Sequence, residues 1–72
     1  MFLNMADRGR EYRIKRIKAD EETLKRAAEL GIRENGRICV EKKFFTGGVI
    51  VNVDGSRYAL GRKFLYAIEV RE

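Results

Sequence analysis

The sequence predicts a mainly β fold: a small barrel of about five short strands, with one α-helix inserted after the first long strand and a short helical turn before the last. Three observations carry this. Apolar residues alternate with polar ones over short windows, as in Ile38/Val40, Val49/Val51/Val53 and Ile68/Val70, the two-residue period of half-buried strands. Only the window from Asp20 to Leu30 spaces its apolar residues by three and four, as an amphipathic helix does. Seven glycines and no proline punctuate the chain, so glycine sets the turns and the elements between them are short.

Each element follows from local chemistry. Residues 11–19, EYRIKRIKA, read as a strand with Tyr12 and Ile14 on one face; Ile17 breaks the alternation by one residue, which predicts a bulge or bend. Asp20 is placed to cap a helix, its carboxylate accepting from the free N–H groups of the first turn. Glu21 and Glu22 follow where negative charge suits the helix dipole. Leu24, Ala27, Ala28 and Leu30 form the apolar stripe, and Glu22–Arg26 and Glu29–Arg33 are spaced as four-residue ion pairs. Gly31 is expected to stop the helix in a left-handed conformation, which costs little without a Cβ. Ile32 should then fold back near Ala27 or Ala28. Asn35-Gly36 is a second left-handed turn, leading into the next strand.

Strand parity from Ile38 and Val40 places Phe44 inward and Phe45 outward. Thr46-Gly47-Gly48 is a turn, and residues 49–53 form the next strand. Asp54-Gly55 is a strong hairpin signal because both central residues of that turn favour positive φ. SRYAL follows as a strand, RKFLY as a single helical turn and AIEV as the last strand. The expected core is Ile14, Ile17, Leu24, Leu30, Ile38, Val40, Val49, Val51, Val53, Leu60, Ile68 and Val70.

Seventy-two residues suffice for one small domain, residues 1–72, with a small core and a thin stability margin. No stretch of about 18 apolar residues is present, and MFLNMADRGR is too short and polar for a signal peptide. The lone Cys39 has no internal disulfide partner, which suits a reducing, cytoplasmic setting. The formal net charge is +5, a balance that admits nucleic acid or an anionic membrane as partner. Acidic residues are interleaved, however, and the basic runs are no longer than pairs, so a solvated surface is favoured over a phosphate-tracking stripe.

The chain has no histidine, the side chain suited to proton shuttling near neutral pH, so Cys39 cannot form a cysteine–histidine nucleophile. Gly47-Gly48 lacks the lysine and the strand-to-helix context of a phosphate loop. No enzyme, no catalytic residue and no cofactor is therefore expected. Cys39 is expected to pack as a small apolar residue. Ferrous sites favour imidazole and thiolate donors. The densest acidic cluster, Asp20-Glu21-Glu22, is accounted for by the helix N-terminus, so no metal site is expected.

The ordered set of motifs resembles the FeoA family, small proteins associated with ferrous iron transport. Leu3 and Gly9 match its opening; Ile14 and Ile17 match a hydrophobic, two spacers and an isoleucine. LKRAAELGIRENG supplies a basic helix ending in leucine-glycine-hydrophobic and a glycine four residues on, through Lys25, Arg26, Leu30, Gly31, Ile32 and Gly36. VIVNVDGSRYALGR and the ending Ile68, Val70 match the later blocks, so the resemblance covers essentially the whole chain. Two positions depart: Asn35 replaces a frequent proline, and Ala27 a usual leucine. Leu65 stands where the family commonly has alanine, which suggests a volume exchange between Leu65 and Ala27.

The resemblance implies an SH3-like barrel and a cytosolic accessory or regulatory protein of ferrous iron uptake. It would act by protein–protein interaction with the membrane transporter FeoB, at its cytosolic GTPase region. Candidate contact residues are Lys25, Arg26, Gly31 and Arg33 around the helix corner, Phe45 at a hairpin tip, and Arg62. Phe45 either anchors the partner or packs on Met1, Phe2, Leu3 or Tyr66. Nothing in the sequence marks Arg26 or Arg62 as a trans-acting arginine finger.

The rival reading is a basic small barrel that binds nucleic acid. It would stack bases on Tyr12, Phe45, Tyr58 and Tyr66, with Arg13, Lys15, Arg16, Lys42 and Lys43 on phosphates. The same barrel occurs as an appended domain in metal-dependent repressors, but this chain has no DNA-binding helix pair. Exposed strand edges leave room for a homo-oligomer.

Overall fold

A computed structural model describes all residues, 1–72. A 3-10 turn, Leu3–Met5, precedes β1 (Glu11–Ile17), α1 (Glu21–Glu29), β2 (Arg37–Lys43), β3 (Val49–Val53), β4 (Ser56–Leu60), α2 (Arg62–Leu65) and β5 (Ile68–Arg71). The strands form one antiparallel sheet in the order β4-β3-β2-β1-β5, an SH3-like barrel with the helical insertion where expected. β4 and β5 lie at its two ends and are linked by α2, whose Leu65 is buried, as is the Ala67 that follows it.

The turns obey local rules. Asp54 (φ 52°) and Gly55 (φ 86°) are both left-handed between β3 and β4. Asp20 accepts from the Thr23 N–H at 2.8 Å and caps α1. At the other end Gly31 takes φ 79°. Its N–H donates to Ala28 O at 3.0 Å and that of Ile32 to Ala27 O at 2.9 Å. This pair of bonds satisfies two of the orphan carbonyls of the last turn and draws Ile32 into the core, where it is 1% exposed. Neither expected four-residue ion pair forms; Arg26 instead reaches Glu29, 3.5 Å away.

Nine of the twelve expected core residues are buried, while Ile17 and Leu30 pack at the core's rim. Leu24 is the exception, 40% exposed where its neighbour Thr23 is 3% exposed. The inward face of α1 runs Thr23, Ala27, Leu30, so Leu24 lies one residue, about 100°, off that line. Phe44 is also corrected, at 42% exposed. The register of β2 against β3 slips between Val40 and Lys42, so inward-facing Val49 stands opposite Lys43, and parity counted from Val40 no longer applies. The bulge expected near Ile17 is present, between Ile14 and Arg16 against β5.

The core also takes in residues outside the expected set, among them Tyr12, which alternation had already put on the face of Ile14. Leu3 and Ala6 are fully buried. Tyr12 is buried too, its hydroxyl accepting from the Asp7 N–H at 2.9 Å. The N-terminal residues cover the free edge of β5: Phe2 bridges Glu69, and Val70 N–H donates to Met1 O at 2.7 Å.

Candidate docking surface

α2 is a single turn, and its short length aims side chains to both sides. On one side Lys63 Nζ lies 3.7 Å from an Asp20 carboxylate oxygen, at the start of α1. Between α1 and α2 opens a groove of about 430 Å³, lined by Lys25, Arg26, Lys63, Glu22, Glu29 and the half-buried Phe64. Buried Thr23 borders it, with a hydroxyl that has no hydrogen-bond partner. The same groove holds two carboxylates and three cations, so it is mixed in charge and net basic.

On the other side Arg62 reaches the hairpin between β2 and β3, donating from Nη2 to Thr46 O at 3.4 Å. The hairpin tip is closed by Phe44 N–H to Gly48 O at 2.9 Å and Gly47 N–H to Phe44 O at 3.0 Å. Gly47 takes φ 104°, and a Cβ there would sit 2.6 Å from Arg62 Nε. Glycine is therefore required both by the turn and by the arginine laid against it. Phe45 stands at the apex, fully exposed, so the alternative in which it packs onto Met1, Phe2, Leu3 or Tyr66 is excluded. Lys42 Nζ lies 5.2 Å from the centre of the Phe44 ring, and Tyr66, 62% exposed, lines a second, separate groove with Lys43, Phe44 and Arg62.

α2 thus separates two patches: Lys25 and Arg26 line the groove on one side of it, and Arg62 and Phe45 stand at the hairpin on the other. Gly31 and Arg33 line neither. Gly31 sits against Val53, its would-be Cβ 3.9 Å from Cγ1, whereas the hairpin tip joins β3 at Val49, the other end of that strand. Gly31 thus has a structural task, and Arg33 is an exposed cation at the far corner. Sequence reasoning missed Lys63, Phe44 and Tyr66 as parts of these patches. The RKFLY turn carried a signal, two adjacent cations followed by two aromatics, but no local rule says which way a single turn points.

The residues proposed for stacking do not make a continuous platform. Tyr12 is buried and Tyr58 half-buried. Arg16 pairs with Glu69 at 2.9 Å, with Lys15 at 3.8 Å from the same carboxylate, and Arg13 donates to Asn35 O at 2.9 Å. Cys39 is half-buried on the outer face of the sheet, beside Glu11 and Asn52. Burial, and then the Glu41 and Glu11 carboxylates, push its thiol above the ordinary range, the reverse of what activates a nucleophile. No three His, Cys, Asp or Glu side chains converge as a metal donor set, and no helix is long and apolar enough to cross a membrane.

A five-stranded SH3-like barrel with a nine-residue helix inserted after its first strand makes this a small SH3-like domain. The chain belongs to the FeoA domain family, whose model matches residues 1–72, a family associated with ferrous iron transport. It is similar in structure to the iron uptake regulatory protein FeoA, with a TM-score of 0.90 at 21% identity over 99% of this chain and 95% of that one. FeoA of Stenotrophomonas maltophilia, an SH3-domain protein complexed with zinc, gives 0.85 at 17% identity over 99% of this chain and 89% of that one. A manganese-dependent transcriptional repressor in complex with manganese gives 0.90 at 30% identity. The match covers 99% of this chain but 35% of the repressor, so the likeness is to one part of a longer protein. No curated protein matches the chain by sequence.

Proposed function

We propose that the chain is an accessory protein of ferrous iron uptake that works by docking, at the cytoplasmic face of the membrane, onto the cytosolic GTPase region of the transporter FeoB. All 72 residues act as one domain, and no chemistry of its own is assigned to it. The observation that carries this reading is the pair of patches on either side of α2, where Lys25, Arg26 and Lys63 flank an open groove and Arg62 and the fully exposed Phe45 stand at the hairpin. A large apolar side chain beside cations on a small barrel fits a binding surface better than a reaction centre. Gly31 and Arg33 contribute by shaping and charging the far corner of α1.

The test is capture of the purified cytosolic region of FeoB by the tagged chain in lipid-free solution. Binding should fall about tenfold or more in Phe45→Ala and in the double charge reversal Lys25→Glu/Arg26→Glu, as expected for truncating an anchor and inverting the groove's charge. The melting temperatures should stay within about 4 °C, because these side chains are exposed. Failure of the unaltered chain to capture that region would overturn the reading.

A further inference from the structure

The hairpin patch has a charge and a shape that the transporter alone does not account for. Phe45 projects wholly into solvent at a convex apex, with Phe44 and Tyr66 42% and 62% exposed behind it. Lys42, Lys43 and Arg62 stand around them. No carboxylate occurs from Lys42 to Val53 or from Gly55 to Ile68. Of the acids that border these stretches, Glu41 holds Arg57 at 2.7 Å and Glu69 holds Arg16 at 2.9 Å. Asp54 lies in the turn after Val53, whereas the tip joins β3 at Val49, its other end. Asp20, at the start of α1, faces Lys63 at 3.7 Å. The tip is therefore an uncompensated positive patch with an aromatic at its summit.

We propose that this hairpin tip is a lipid-binding element, which seats Phe45 among the headgroups of an anionic phospholipid bilayer while Lys42, Lys43 and Arg62 contact the phosphates. The argument is one of complementarity. An aromatic on a projecting tip can insert into a surface that offers no matching pocket, and the headgroup–acyl boundary is such a surface. Tyrosine is at home in the same layer. Long basic side chains at that level lay their stems on the apolar boundary and hold their charges in the headgroups. Each cation brought to an anionic surface strengthens binding about fivefold, and the attraction fades within a Debye length. Lipid contact goes beyond the docking on FeoB and does not depend on it. It draws on Phe45 and Arg62, which the docking also uses, so lipid and FeoB take these two side chains in turn, and only the α1 groove, on the other side of α2, stays free for the protein.

The full chain is to be sedimented with vesicles of phosphatidylcholine alone and of phosphatidylcholine mixed with phosphatidylglycerol. Binding is expected to the anionic vesicles only, and to be lost in high salt. Phe45→Ala should weaken it about tenfold, and Lys42→Glu/Lys43→Glu more than tenfold. The chain has no tryptophan, so Phe45→Trp provides a single fluorophore at the apex. Its emission should move to shorter wavelength with anionic vesicles and no other protein present. No binding to anionic vesicles would overturn the proposal. So would binding untouched by Phe45→Ala, or a Phe45→Trp emission that shifts with the lipid-free cytosolic region of FeoB but not with vesicles. The vesicle assay contains no transporter and the capture assay no lipid, so failure of either proposal is recognised separately.

Discussion

Thr23 and Leu24 are neighbours on α1 with opposite fates, the polar one buried and the apolar one exposed. The inward line through Thr23, Ala27 and Leu30 explains it, and leaves a buried hydroxyl unpartnered in the fold, a local cost of order 1 kcal/mol or more. Ala27 is the tightest point on that line, with no exposed surface, and it shares one core cluster with Leu65. Ala27→Leu should overpack the cluster and destabilise by about 1–3 kcal/mol. Urea unfolding reads this directly, and a midpoint unchanged or raised would show that the cluster has room.

At the scale of elements, α1 is nine residues long, too short to persist alone, so its ends matter. Hydrogen bonding with Thr23 holds the Asp20 carboxyl below the usual carboxylate range, helped by Lys63. A depressed folded-state value means that the charged cap stabilises the fold above the usual carboxylate range, and that this contribution is lost as the pH falls through it. Asp20→Ala should therefore lower the melting temperature at pH 7, and the deficit should shrink toward pH 3. A deficit equal at both pH values would show that the cap acts without its charge. The hairpin shows the same dependence on detail: the slip after Val40 turns Phe44 outward and so helps to build the exposed aromatic tip.

For the whole molecule the margin is thin. A chain of this length has on the order of 4–11 kcal/mol of stability. Part of its core is supplied by residues that precede every strand. Leu3 and Ala6 are fully buried, and Met1 and Phe2 cover the β5 edge. Leu3→Ala should cost about 2–5 kcal/mol, a large fraction of the total. Thermal melting followed by circular dichroism should show a transition lowered by ten degrees or more. A shift of a degree or two would mean that the N-terminal segment decorates the barrel without holding it.

What the sequence determined by itself were the features that depend on a few adjacent residues. Asp54-Gly55 and Gly31 take left-handed backbone because of their own sterics, Asp20 caps because its carboxylate reaches three residues on, and Val49, Val51 and Val53 alternate into the core. Tertiary structure alone decided the rest. Whether Phe44 faces in depends on a bulge set by pairing with β3. The burial of Leu3 and Ala6 depends on where the N-terminal segment crosses the strands. That Lys25 and Lys63 line one groove while Arg62 reaches the Phe45 hairpin depends on how α2 sits between α1 and that hairpin. These are contacts between residues far apart in the chain, and their energies arise only once the barrel has brought the surfaces together.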